Sequence, residues 1–388
     1  MRASRRQGFR AANSNRDKWC SAANVYTRDA VSTEDIRSIF AGLTAFPHRG
    51  SGTEHERAAA AFLCDYLTAR GHPVESQAFL TSRTYSWELL GISALLAVGG
   101  LYPATWAVLL GAYWFWAYFS GRGTPWDSWF RRHPSQNVVA RAGRGPRRFV
   151  VMAHYDSAKT FLVYHPKRVR GFRANFLLNA ALAGALIPAA MWVPLLARLV
   201  GVYFLAQAVL LLHRERTAPY VNGASDNASG VAVATALFLD LATRGGDGSE
   251  LWLVLTGAEE VGAQGARAFL QQNALPRDTP VLNIDNVGAG TLYYATGEGM
   301  LGVIPFRGPL VEAASRLEGA SPLTYTLAYF DTLPFARAGH PCLTLIRLHR
   351  GIPPHWHWPT DIRENVDEQA LVDTLAYARA LAGVVIRR

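Results

Sequence analysis

The stretch Leu-Trp-Leu-Val-Leu-Thr-Gly-Ala-Glu-Glu-Val-Gly, residues 251–262, decides how the rest of the chain is read. Leu251 to Thr256 is a short apolar run of β type, and it passes directly into Gly257-Ala258-Glu259-Glu260-Val261-Gly262. Two adjacent carboxylates between glycines at a strand end repel one another unless protons or cations neutralise them. A solvated acidic turn is the plain reading. The sharper one is a metal site in which one Glu binds the metal while its neighbour, pointing elsewhere, acts as a base.

Working outward, other strand ends carry matching chemistry. Arg148 to Ala153 reads as a strand and closes on His154-Tyr155-Asp156, a spacing that suits a metal ligand with an acidic orienter, although His-x-Asp is common by chance. Ser225-Asp226-Asn227-Ala228-Ser229-Gly230 precedes a helix starting near Val231, where Ser and Asp can cap free backbone N–H groups and the same loop can aim a carboxylate at a metal. The strand Val281 to Ile284 gives way to a turn at Asp285, and near the C-terminus stands His355-Trp356-His357-Trp358-Pro359-Thr360-Asp361. His, Asp and Glu are ligands that zinc accepts in catalytic sites. All these pieces fall at strand ends or in loops, where open α/β sheets place their ligands.

Between the strands, residues 53–71 form an amphipathic helix with Gly71 as C-cap, followed by a short strand over 72–79. Residues 231–243, 262–272, 309–317 and 367–386 also read as helices. This alternation predicts an α/β fold with a mixed, largely parallel central sheet flanked by helices. Two apolar blocks interrupt it. Leu89 to Gly121 holds no charged residue and is broken at Gly99, Gly100 and Pro103; Ala174 to Leu212 is interrupted by Pro188, Pro194 and Arg198. Each reads as a helical hairpin, over 86–120 and 174–213, inserted into a domain spanning 36–388. Buried core helices are the alternative, but the clustered Trp106, Tyr113, Trp114, Trp116 and Tyr118 favour membrane contact. The first block's halves are short enough that a re-entrant hairpin stays open.

The chain of 388 residues has a formal net charge of +10, yet nowhere combines dense Lys/Arg with stacking aromatics as a nucleic-acid binder would. Much of the excess flanks the apolar blocks, which suits anionic lipid head groups. Cys20, Cys64 and Cys342 are too scattered for a disulfide framework or a thiolate zinc site. Residues 1–35 read as a disordered basic tail without a secretory signal core, with a targeting segment or a misplaced start as alternatives.

The motifs around His154, Asp226, Glu259-Glu260, Asp285 and His357 resemble, in content and order, those of the di-zinc exopeptidases that include bacterial leucyl aminopeptidases, with glutamate carboxypeptidase II and glutaminyl cyclases as more distant relatives. The resemblance covers residues 49–81 and 136–385. It implies two zinc ions per chain: His154 on one, Asp226 bridging both, Glu260 and Asp285 on one each, and His357 completing the second. Glu259 would be the general base and Asp156 would orient His154. Phe330 to Gly339 is similar to the family's Ser-Asp-x-x-Pro-Phe-x-x-Ala-Gly segment with Phe330 in place of Ser, which puts the supporting role of Asp331 in question. Trp356 stands where the family commonly has Tyr, and His355 is a rival to His357 that the spacing to Asp361 disfavours.

The expected function is a membrane-anchored exopeptidase that removes N-terminal residues from peptides through a zinc-bridged hydroxide. An N-acyl amino acid or lipopeptide amidohydrolase using the same metals, and an inactive membrane receptor or scaffold, are the alternatives. Cations flank the domain side of the hairpins (Arg122, Arg131, Arg132, Lys167, Arg168, Arg170, Arg173, Arg214, Arg216), whereas the tips carry only Arg198, so the catalytic domain is expected on the cytoplasmic side of a multi-pass protein.

Overall fold

Apolar runs rich in Val, Leu and Ile, most of them followed by a helix, build one nine-stranded sheet. The computed structural model describes residues 33–387. In chain order the elements are α1 (Thr33–Thr44), α2 (Glu54–Thr68), β1 (Val74–Thr81), α3 (Ser86–Leu101), α4 (Thr105–Phe119), β2 (His133–Ala142), β3 (Arg147–His154), α5 (Phe172–Trp192), α6 (Pro194–Thr217), α7 (Gly230–Thr243), β4 (Ser249–Thr256), α8 (Gln264–Gln272), β5 (Val281–Ile284), β6 (Thr291–Glu298), β7 (Ile304–Pro305), α9 (Pro309–Ala314), β8 (Ser321–Tyr325), α10 (Thr332–Ala338), β9 (Cys342–Leu348) and α11 (Glu368–Ile386). Of the basic tail read over 1–35, residues 1–32 lie outside the described residues, and Thr33 to Asp35 begin α1.

The strand order is β1-β2-β4-β3-β5-β9-β6-β7, with β8 also on β6. β4, β3, β5 and β9 run parallel at the centre, and the outer pairings of β1, β2, β6 and β7 are antiparallel. The central strands read as nearly continuous apolar runs because both faces are covered. Alternate residues face opposite layers. Val151 and Leu253 pack with Leu43, Leu63, Leu237 and Leu375 beneath α1, α2, α7 and α11, while Met152 and Val254 pack with Phe269 and Phe335 of α8 and α10.

The helices α3 to α6 form a separate unit with its own cluster, in which Leu96, Val108, Phe115, Phe176, Leu186 and Phe204 meet. The first hairpin departs from β1 and returns to β2, two strands that pair directly, with Thr81 opposite His133. Its helices turn at Tyr102 to Ala104, so Gly99 and Gly100 do not break α3 as the sequence suggested. They are packing glycines: a Cβ on Gly100 would meet the Ala197 carbonyl oxygen at 2.5 Å and the Gly201 Cα at 2.7 Å, so its absence lets α3 and α6 approach backbone to backbone. Pro188 likewise stays inside α5, and the chain turns at Val193 with Pro194 in the first position of α6.

The outer face of this unit is apolar. Trp106, Leu109, Tyr113 and Trp116 of α4, Leu177 and Leu178 of α5, and Leu199, Val202, Leu205 and Val209 of α6 are all exposed. Among the described residues three helical stretches are long and apolar enough to cross a membrane: Val169–Trp192, Pro194–Thr217 and Glu368–Ile386. The last is a core helix, because Leu371, Leu375 and Leu381 of α11 are buried in the main core. At about 1.5 Å per residue α5 and α6 reach roughly 31 and 36 Å, whereas α3 and α4 reach roughly 24 and 22 Å.

Candidate metal centre

The parallel strands β3, β4 and β5 end side by side, His154 opposite Thr256, and their carboxyl ends deliver His154, the Glu259-Glu260 pair and Asp285 to one place. The loop before α7 adds Asp226 and the loop after β9 adds His357. Asp226 sits between two groups. Its Oδ1 lies 3.3 Å from His154 Nε2, which is also 3.6 Å from Asp285 Oδ1. Its Oδ2 lies 3.1 Å from His357 Nε2, which is also 3.0 Å from Glu260 Oε2. Glu259 Oε2 stands 4.0 Å from His154 Nε2. Ligand-type atoms of His154, Asp226 and Glu260 fall within 4.8 Å of one another. His355 is turned away, exposed, with its Nδ1 2.7 Å from Thr360 Oγ1.

Backbone conformation marks the same loops. Ala258, Asn286 and His357 adopt φ of 55°, 51° and 51°, a left-handed region that costs a non-glycine residue about 1 kcal/mol or more. The surrounding contacts over-determine it. Asp156 accepts from the Glu259 and Glu260 amides at 2.9 and 3.2 Å and from Ser51 Oγ at 2.8 Å, with its Oδ1 3.4 Å from His154 Nδ1. It therefore ties the glutamate loop to the end of β3, a wider role than orienting one imidazole. Asp361 accepts from the Ser225 and Asp226 amides at 2.6 and 3.1 Å. Asn227 caps α7 through the Gly230 amide and accepts from the Asn286 amide, locking the Asp226 and Asp285 loops together.

Several supporting residues carried no signal in the sequence. Arg49 is wholly buried, and its guanidinium donates to the carbonyls of Tyr155, Leu43, Asn222 and Gly223 rather than to any carboxylate. Glu56, read only as part of an amphipathic helix, accepts from the Gly52 amide, Ser135 Oγ and the Ala258 amide beneath the glutamate loop. Tyr325 ends β8 facing the cluster and stacks on Phe330 at 4.5 Å between centroids, so the residue standing in for Ser packs against it. Asp331 is buried and accepts from Thr256 Oγ1, with its other oxygen unpartnered.

The donor set calls for cations. Ion-pair partners of Asp226, Glu259, Glu260 and Asp285 among the described residues are His154 and His357 alone, and Glu260 Oε1 is buried without a hydrogen-bond partner. Burial pushes the Glu260 carboxyl up to about 7 even with His357 beside it. Burial likewise raises Glu259 and Asp285, with neighbouring carboxylates adding to it. Burial opposes charge on His357, but Glu260 and Asp226 outweigh it and carry the imidazole up to about 10. Two imidazoles cannot neutralise four clustered carboxylates, whereas bound divalent metal could. Carboxylate and imidazole donors of this number fit zinc.

A cavity of about 420 Å³ opens above the cluster. Tyr164, Trp356 and Phe172 form its aromatic wall: the Tyr164 ring lies 4.5 Å from that of His357, and Trp356 packs 5.0 Å from Phe172.

The profile of peptidase family M28 matches residues 137–382. Similar folds occur in the LapA aminopeptidase of Legionella pneumophila (TM-score 0.55, 11% identity, covering 100% of this chain and 81% of that one) and in a Zn-dependent exopeptidase from Parabacteroides distasonis (TM-score 0.54, 14% identity, 92% and 98%). An aminopeptidase from Aneurinibacillus sp. strain AM-1 is similar at TM-score 0.55 and 16% identity over 91% of this chain and 93% of that one. No curated protein sequence matches.

Proposed function

Because the chain belongs to peptidase family M28, we propose that it is a membrane-anchored, two-zinc exopeptidase that releases N-terminal residues from peptides. The observation that carries the metal count is the division of Asp226: one oxygen faces His154 and Asp285, the other His357 and Glu260. His154 with Asp285 would hold one ion, His357 with Glu260 the second, and Asp226 would bridge them. Zinc bound there supplies a Lewis acid and lowers the pKa of coordinated water toward neutrality.

The chain's own groups do the rest. Glu259, held above the usual carboxylate range by burial and its acidic neighbours, accepts the proton of the attacking water and returns it to the leaving amine. Asp156 fixes the backbone of Glu259 and Glu260, so that one carboxylate would hold metal and the other would face the water. The Tyr325 phenol, which lines the cavity and is kept protonated by burial and by Asp285, Asp226, Glu259 and Glu260, would donate to the developing oxyanion, the part that Trp356 cannot play.

Anchoring is supported by the many large apolar side chains exposed on α4, α5 and α6, since such exposure marks membrane or partner contact. Lys167, Arg168, Arg170, Arg132 and Arg216 are exposed at the domain ends of the hairpins, which by the positive-inside rule supports a catalytic domain on the cytoplasmic side. Arg214 does not belong with them: it is buried, donating to the Thr160 and Lys159 carbonyls and to Ser86 Oγ, and it joins α6 to the catalytic domain. The test is zinc analysis and hydrolysis of a peptide with a free amino terminus, using detergent-purified wild type and Glu259→Gln. Wild type should cleave and the variant should not, with both holding two zinc ions. A metal-free wild type, or a variant within ten-fold of it in kcat, would overturn the reading.

A further inference from the structure

The cavity above the metal-ligand cluster does not stop at the catalytic domain. Past Tyr164 and Phe172 its lining continues onto the inserted helices: Ile92 of α3, Phe115 of α4, Phe176 and Asn179 of α5, and Gln207 and Leu210 of α6. Phe172, Phe176 and Asn179 share one face of α5, and Tyr203, Gln207 and Leu210 share one face of α6. At about 1.5 Å per residue the apolar compartment follows each helix for roughly 10 Å.

Its exposed lining lies in two places, at Gly262 and Asn175 on the domain side and on the apolar outer face. Ala206 and Leu210 line the cavity and are themselves exposed, Leu210 by 46%, beside Leu205 and Val209 of the same apolar surface. An opening there faces lipid if the helices are embedded. On the cavity wall beyond the metal-ligand cluster, Asn179 Oδ1, Glu88 Oε2 and Arg131 Nε are buried without partners. A polar peptide threaded past Ile92, Phe115 and Phe176 would have to find partners for its amides among the few polar groups of the wall. An alkyl chain would not, and the volume is in the range of small-molecule sites.

We propose that the substrate is an amphiphilic amide whose unbranched alkyl chain occupies the compartment between the helices, entering from the apolar face beside Ala206, while its amide reaches the metal-ligand cluster. The assignment rests on the hydrolase reading of that site. Water adds its oxygen to the acyl carbon, the C–N bond breaks, and the amine leaves with a proton from water, so no further reactant is needed. The chain can be borne on the acyl side, as in an N-acyl amino acid, or on the amine side of an aminoacyl group with a free amino terminus.

Two series of water-soluble substrates separate these sources: N-acyl glycines and leucine N-alkylamides, each with chains of two to eight carbons, offered to the zinc-loaded protein in nanodiscs. Lengthening the chain should raise kcat/KM at least ten-fold in one series, within the ceiling of roughly four-fold per buried methylene. That series identifies the side carrying the chain. Ala206→Trp, on the apolar outer face and away from the reacting groups, should cancel the rise while leaving the two-carbon substrate within two-fold. Dependence on chain length below three-fold in both series, with the two-carbon members hydrolysed, would overturn the proposal and leave the hydrolase reading standing. If nothing is hydrolysed, that reading falls, and calorimetry of both series on Glu259→Gln decides the compartment: tighter binding with chain length keeps it, and no such trend ends it.

Discussion

Replacing Asp156 by Asn probes the joint between the two halves of the centre. The carboxylate is fully buried and serves the Glu259 amide, the Glu260 amide and Ser51 Oγ, with His154 Nδ1 3.4 Å away. Asn keeps the shape but has one accepting oxygen. Whichever way its amide turns, an NH2 group faces backbone N–H donors, and at least one of them is left buried and unpaired. That penalty is about 1–3 kcal/mol. Because the unpaired donor belongs to the segment carrying Glu259 and Glu260, the loss falls on the arrangement that receives metal, and a ten- to hundred-fold weaker zinc affinity follows. Competition with a chromophoric chelator measures it, and circular dichroism checks that the fold is retained. An Asp156→Asn protein that is folded, binds zinc within two-fold of wild type and keeps its kcat would refute the argument that Asp156 organises the site.

Gly100→Ala should destabilise the helical unit by about 1–3 kcal/mol, read as a lower melting temperature in detergent, whereas Gly184→Ala, where a Cβ meets nothing within 4 Å, should not; equal effects would sink the packing account. Burial and the Asp156 charge lift Glu56 from 4.5 to about 8, so the native state holds a proton that the unfolded chain releases above 4.5, and stability falls between pH 5 and 8 by up to about 1.4 kcal/mol per unit. Glu56→Gln should flatten that decline in thermal unfolding, and an unchanged slope would show that Glu56 is not its source. Tyr325→Phe should lower kcat about ten-fold or more with zinc content and KM unchanged, and a kcat within two-fold would remove Tyr325 from the mechanism.

What the sequence discloses here is what strands and short motifs encode locally. The run from Leu251 to Glu260 announces a buried strand and its reactive end, because burial on both faces demands uninterrupted apolar residues and the carboxylates follow at once. The structure brings His154, Asp226, Glu260, Asp285 and His357 together with Glu259 and Asp156, all of which were legible as strand-end or loop motifs. The helix boundaries inside the apolar blocks were legible only at Pro103 and Pro194, which fall at the turns, and not at Gly99, Gly100 or Pro188, which do not. Gly100 reads as a breaker in one dimension, and only the partner helix reveals it as a point of contact with Gly201. Arg49, Glu56 and Tyr325 escaped for the same reason: their partners lie far away in sequence, and nothing beside them in the chain signals a carbonyl cage, a loop support or a phenol facing carboxylates.

The direct pairing of β1 with β2 has a consequence for how such a protein could arise and be handled. Everything between Thr81 and His133 leaves and rejoins the sheet at one rung between two neighbouring strands, where in a simpler chain a tight turn would suffice. An ancestor could therefore acquire or lose that hairpin in a single genetic event without disturbing the register of any strand. It also means that one proteolytic nick between the helices frees nothing: the severed ends stay stitched into the sheet, and the catalytic head cannot be shed, swung outward or raised on a stalk. The distance between the helical unit and the metal-ligand cluster is thereby a fixed dimension of the molecule.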